Sequence, residues 1–228
     1  MTQNTWWGKI LRTIGILFMG ISALFTIAGG LGTTCVALNP TGFGESMAPL
    51  AQFQWLYILF VILTTAIGVM AARAVVLLVK SRPNSYRYAL VALLLGLVIG
   101  VVHMLVSRAL RGKSMPVDAV VYTTALTLII FLFFRIPKIW QGVNLTSGDA
   151  KDGTGRLAAA ITLMVTAGLT LTVPYWAGAS HTWDGTNWAA AFQATSTMAG
   201  LGQMSGGLFL LLSLKKSKVL HMDLLLRR

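Results

Sequence analysis

The sequence predicts an all-α integral membrane protein, a polytopic bundle of about six transmembrane helices with no soluble domain and both termini in the cytoplasm. Three observations carry this. Charged residues make up only 11% of the 228 residues while 56% are hydrophobic, giving a mean hydropathy of +0.74; soluble domains carry about a quarter of their residues as charges. Six apolar runs are each long enough to cross a hydrocarbon core of about 30 Å. The Lys and Arg residues are distributed unevenly between alternate connections.

The first run, 13–36, follows Lys9 and Arg12 as a signal peptide would. Its length exceeds a signal h-region, so it reads as a retained span. The others are 54–79, 87–108, 117–136, 157–177 and 189–213. Trp6, Trp7, Trp55, Trp140, Trp176, Trp183 and Trp188 all fall at or just outside span ends, where amphipathic rings prefer the headgroup level. The connections are short. The longest are the segment around Asn39–Gly44, the loop from Pro137 to Gly155 and the Trp-rich stretch from Tyr175 to Trp188, all with Gly, Pro, Asn or Asp at turn positions.

Orientation follows from the basic residues. With the N-terminus inside, every one of the 18 Lys and Arg residues except Arg108, Arg111 and Lys113 falls on the cytoplasmic side. The net charge of +12 is then a product of topology, and no nucleic-acid partner is expected. A multi-pass protein of a bacterial or archaeal inner membrane is the expected location. Residues 1–214 form the membrane domain. Residues 215–228 form a basic, Leu-rich cytoplasmic tail, either a helix in the membrane interface or an extension of the sixth span.

The single cysteine, Cys35, excludes an intrachain disulfide and any Cys-based metal cluster. No HExxH, GxSxG or P-loop pattern occurs. No span carries Asp or Glu near its middle, which counts against ion-coupled transport. An enzyme is not expected.

What remains is a set of small-and-polar faces. Gln193, Ser196, Gly200, Gln203 and Gly207 recur at spacings of three and four, so they share one face of the sixth helix. Gly96, Gly100, His103 and Ser107 do the same in the third, and Ser22, Thr26, Gly29 and Thr33 in the first. Lipid tails give helices no hydrophobic reason to associate, so small residues and interhelical hydrogen bonds must hold the bundle, and internal packing is the first reading of these faces. Arg108 and Arg111 lie three apart and, with Lys113, form a candidate outer anion site, the plainer reading being snorkelling ends paired with Asp118 or Glu45. His103 is the one histidine inside a span, placed by helical rise near the outer surface. With His181 and Asp184 it makes a weak metal or haem candidate.

Three function classes follow. The reading that asks for the fewest missing features is a non-catalytic subunit packing against other membrane chains or against itself, with bound lipid expected and no cofactor required. Haem or a pigment is admitted without a residue pattern to support it. The second is a small-solute transporter, a substrate-binding membrane component or a channel, with Gln193, Gln203, Thr195 and Thr197 lining a neutral polar site. The third is an outer-face metal or haem protein.

Overall fold

A computed structural model of the chain describes residues 5–143, 145, 153–183 and 185–226, with side chains described up to residue 214 apart from that of Trp183. It is an all-α bundle, with one two-residue hairpin, Thr182–Trp183 against Thr186–Asn187. Five helical segments are long and apolar enough to cross a membrane, or six if a bent pair counts as one span.

The helices in chain order are α1 (Trp6–Leu38), α2 (Gln54–Val79), α3 (Ser85–Arg111), α4 (Val117–Phe133), α5 (Pro137–Val143), α6 (Thr154–Leu171), α7 (Val173–Trp176), α8 (Trp188–Ala191) and α9 (Gln193–Leu226). The long ones alternate in direction. The end carrying the start of α1 is called basal below, and the opposite end distal. In an apolar medium every polar group must be satisfied internally. Many of the threonines achieve this by donating to the carbonyl four residues back: Thr26 to Ser22 at 2.7 Å, Thr162 to Ala158 at 2.8 Å and Thr166 to Thr162 at 2.8 Å.

α1 is the central element, packed against α2, α4 and α6. Its approach to α2 is close because glycines stand at the crossing. A Cβ on Gly30 would lie 2.6 Å from Thr65 Oγ1, and one on Gly68 would lie 2.6 Å from Ile27 Cγ1. The basal half holds the larger apolar cluster, in which Ile16, Met19, Leu78, Leu93, Phe131 and Phe134 are almost wholly buried. Arg12, only 4% exposed, closes that end. Its guanidinium donates to the Leu78 and Val79 carbonyls at 3.3 and 3.2 Å and to the Ser81 hydroxyl, capping the C-terminus of α2 with a positive charge.

One connection differs from expectation, and two others take on local structure. The fourth span was expected to run straight from 117 to 136 into a loop beginning at Pro137. Instead the helix stops at Phe133, and α5 leaves at 98° to it. Pro137 explains the break, because proline disfavours α geometry in the residue before it and is well suited to a helix start. The Tyr175–Trp188 stretch holds the end of α7, a 3-10 turn and the hairpin. Asn39–Gly44 contains a 3-10 turn, Pro40–Phe43, and a second one, Ala48–Phe53, leads directly into α2. At the other extreme α9 continues as one element to Leu226, into the predicted tail.

Candidate ligand-binding cleft

The α3 face read from the sequence as Gly96, Gly100, His103 and Ser107 extends one turn further to Arg111, four residues on. Helical side chains lean toward the helix N-terminus, so Arg111 leans from the distal end back toward Ser107. Across from this face stands α2. His103 is 5% exposed, stacked on Phe60 at 4.3 Å and 18° and edge-on to Tyr57 at 5.4 Å. The Tyr57 and Ser107 hydroxyls share a hydrogen bond of 2.9 Å. Arg111 Nε donates to the Ser46 carbonyl at 3.3 Å, tying the segment before α2 to the end of α3.

Two clefts meet at this imidazole. The inner one runs between α1, α2, α3 and α4 past Thr26, Gly29, Thr64, Ile67, Gly96 and Val120, with a cavity volume of about 20 Å³, room for about one water. The outer one, about 40 Å³, opens distally past Tyr57, Ser107, Arg111, Met47 and His181. Thr33, His103, Pro116 and Val117 line both. Both are narrow, and among the described residues neither is lined by a carboxylate. Among the described residues, neither ring nitrogen of His103 has a hydrogen-bond partner, and neither is sealed from the clefts. On the far wall His181 Nδ1 lies 2.9 Å from the Ala177 carbonyl. The same nitrogen lies 3.0 Å from Ser180 Oγ, and Nε2 is located 3.9 Å from where a Cβ on Gly32 would stand.

The other residues singled out in the sequence are placed as follows. In α1, Ser22 Oγ meets Thr127 Oγ1 of α4 at 2.7 Å, Thr26 bonds within its own helix, and Gly29 faces Val120. In α3, Gly96 faces Ile67 and Thr124, and Gly100 faces Val121. In α9, Gly200 is buried against Leu171 and Gly207 against Met164, while Gln203 Oε1 accepts from Thr170 at 3.1 Å. Ser196 bonds back to the Gln193 carbonyl at 3.0 Å. Gln193 and Thr195 are exposed and Thr197 is half-buried, so none of this set reaches the cleft at His103.

The three basic residues do not converge. Arg108 binds Asp118 at 3.1 Å and Ser114 at 2.8 Å and reaches the Tyr122 hydroxyl at 3.4 Å, fastening the start of α4. Arg111 turns toward the outer cleft, and Lys113 is exposed. Among the described residues no group of three or more His, Cys, Asp or Glu stands ready for a metal ion. His103 and His181 share the outer cleft, and Asp184 lies outside the described residues.

Sequence reading did not pick out Tyr57, Phe60 or the separation of Arg111 from Arg108. The available signal was the unbroken four-residue step from His103 through Ser107 to Arg111. The arrangement defines a class: an α-helical bundle of candidate membrane spans with a narrow, mainly apolar cleft toward one end and, among the described residues, no carboxylate lining it. Comparison with protein-family models, curated proteins and solved structures gives no match for the chain.

Proposed function

We propose that this chain is a non-catalytic, multi-pass membrane protein that holds a small guest in the distal cleft between α1, α2, α3 and α4. This is the substrate-binding membrane component of the sequence-based expectations, moved from the Gln193 and Gln203 face to the His103 face. One observation carries it. His103 is almost wholly buried, yet its ring nitrogens have no partner among the described residues and open onto two confluent clefts. A guest that hydrogen-bonds to the ring gains about 0.5–1.5 kcal/mol from such a contact. The distribution of Lys and Arg supports a cytoplasmic basal end, with the cleft toward the outer leaflet.

The test is retention. Full-length protein purified in mild detergent from its native membrane is released from the micelle and weighed by mass spectrometry, beside Gly32→Leu. Gly32 is exposed and its added side chain enters the outer cleft near His181 with no backbone in the way. A bound mass present in the natural protein and absent from Gly32→Leu, at equal thermal midpoints, is expected; bare protein in both contradicts the proposal.

A second reading, a subunit that packs against another membrane chain, draws on α9. That helix packs chiefly on α6 and exposes Thr195, Ala199 and Gly202 at helical spacing on its outward side. Small residues of this kind permit close helix approach. A compact monomer as the sole species extracted from the native membrane would remove this reading.

A further inference from the structure

We infer that the groove between α1, α4 and α5 holds an anionic phospholipid of the basal leaflet, with an acyl chain against Ile14, Phe133 and Ile139 and the phosphate at Lys138. The inference rests on the membrane part of the reading above and is independent of the distal guest.

The groove follows from the break at Pro137. Because α5 leaves at 98° to α4, it crosses the basal end of a candidate span and runs along the plane of the membrane surface. Its far end meets the start of α1: a Cβ on Gly142 would run into the Trp7 indole, and one on Gly8 into the Gly142 carbonyl. α5 is therefore a floor joining α4 to α1. Against it lies a cavity of about 310 Å³, lined by Leu11, Ile14, Ile130, Phe133, Phe134 and Ile139. Phe134 is 2% exposed and Phe133 58%, so the cavity reaches from the interior of the bundle to its outer surface. Its volume stands at the lower end of the range for small-molecule sites, enough for a stretch of one chain. Every lining side chain is hydrocarbon, and an apolar space facing lipid gains dispersion contacts when a chain fills it.

The head follows from the helical wheel of α5. Ile139 lines the cavity, and Val143, four residues on, shares its face and is buried. Trp140 lies about 100° to one side. It meets Tyr86 of α3 edge-on at 4.8 Å, with the Arg135 guanidinium 5.6 Å from its ring. Lys138 lies about 100° to the other side and is exposed, on the flank of the floor that faces away from α3. It has no partner among the described residues. The acids whose side chains are described, Glu45 and Asp118, both belong to the distal end, so a second copy of the chain brings no described counter-charge to this level. Trp7 and Trp140 mark the level as the headgroup zone. An ammonium there, beside a hydrocarbon-lined space, matches the order of a phospholipid from head to chain.

The experiment reconstitutes full-length protein in phosphatidylcholine vesicles that contain a trace of a photoactivatable probe, phosphatidylglycerol or phosphatidylcholine, with the same diazirine-bearing acyl chain on each. Labelled peptides are mapped by mass spectrometry after illumination. The phosphatidylglycerol probe should label the groove segments of α1, α4 and α5 about fivefold more than the phosphatidylcholine probe does. Lys138→Gln should abolish that preference and Lys138→Arg should keep it. Ile14→Trp, which fills the cavity from α1, should lower labelling by both probes, and the exposed Lys138 variants keep the test open if it fails to fold. Equal labelling by the two probes, or a preference that survives Lys138→Gln, overturns the inference. Labelling spread evenly over the outer faces of the helices overturns the groove, as do groove segments that neither probe reaches. Gly32→Leu should leave the labelling unchanged, so the distal guest and the basal lipid succeed or fail separately. Protein that alkaline carbonate strips from the vesicles contradicts the membrane reading itself.

Discussion

The two ends of the bundle handle buried polarity in opposite ways. At the basal end a buried arginine meets three acceptors, the Tyr86 hydroxyl donates to the Phe131 carbonyl at 2.7 Å, and Ser85 donates to the Leu145 carbonyl at 3.1 Å, all around a dense apolar cluster. At the distal end a buried histidine has aromatic neighbours on its faces and open clefts at its nitrogens. Burial alone therefore does not mark a site; what distinguishes the distal histidine is the pair of clefts at its ring nitrogens. The basal end closes on an apolar cluster, and the distal end opens into the clefts.

Substitutions should divide along the same line. The largest effect is expected from Arg12→Met, which strips the capping donors from the last carbonyls of α2 and should cost about 3 kcal/mol, read as a lower unfolding midpoint in detergent. Phe131→Ala, at a side chain with no exposure, should cost about 2 kcal/mol through lost contacts and a cavity, since apolar transfer from water contributes little inside a bilayer. At the distal end the sign should change: His103→Phe removes the unpartnered nitrogens and should leave stability within about 1 kcal/mol of the natural protein, or raise it, while abolishing guest retention. A loss there as large as at Arg12 would break the comparison. The smallest effect belongs to Gln203→Leu, which gives up one hydrogen bond to Thr170 between α6 and α9 and should cost about 0.6 kcal/mol with guest retention unchanged.

Much of the fold was legible because apolar length and basic asymmetry are properties of the chain alone. The helices at 54–79 and 87–108 needed little more than counting, and their observed limits, Gln54–Val79 and Ser85–Arg111, differ by no more than three residues. The turn of α5 was less legible. Its signal, Pro137, was present, but a proline marks a boundary without giving the angle that follows. The role of Arg12 was hidden because the inside excess of positive charge already accounted for it. Its partners Leu78, Val79 and Ser81 lie more than sixty residues away and offer only backbone oxygen and a hydroxyl, which no motif announces.

The distal site was half visible. His103 stood out as an ionisable group in an apolar run, and Ser107 shared its face, yet Tyr57 and Phe60 come from α2 across the bundle. Arg108 and Arg111 looked like a pair from their spacing. Asp118, on the following helix, claims the first and leaves the second facing the cleft. The small residues of α9 carry the same pattern as those of α3, and only their neighbours separate them: Gly200 and Gly207 close on α6, while Gly96 and Gly100 face Ile67, Thr124 and Val121 along the inner cleft.

The most direct measurement is the ¹⁵N spectrum of the histidine rings in full-length protein purified from its native membrane. With the other histidines assigned by substitution, the His103 nitrogens should change their shifts when bound guest is stripped by detergent exchange, and return when it is added back. Identical His103 signals before and after stripping would contradict the claim that the distal cleft holds a guest against this ring.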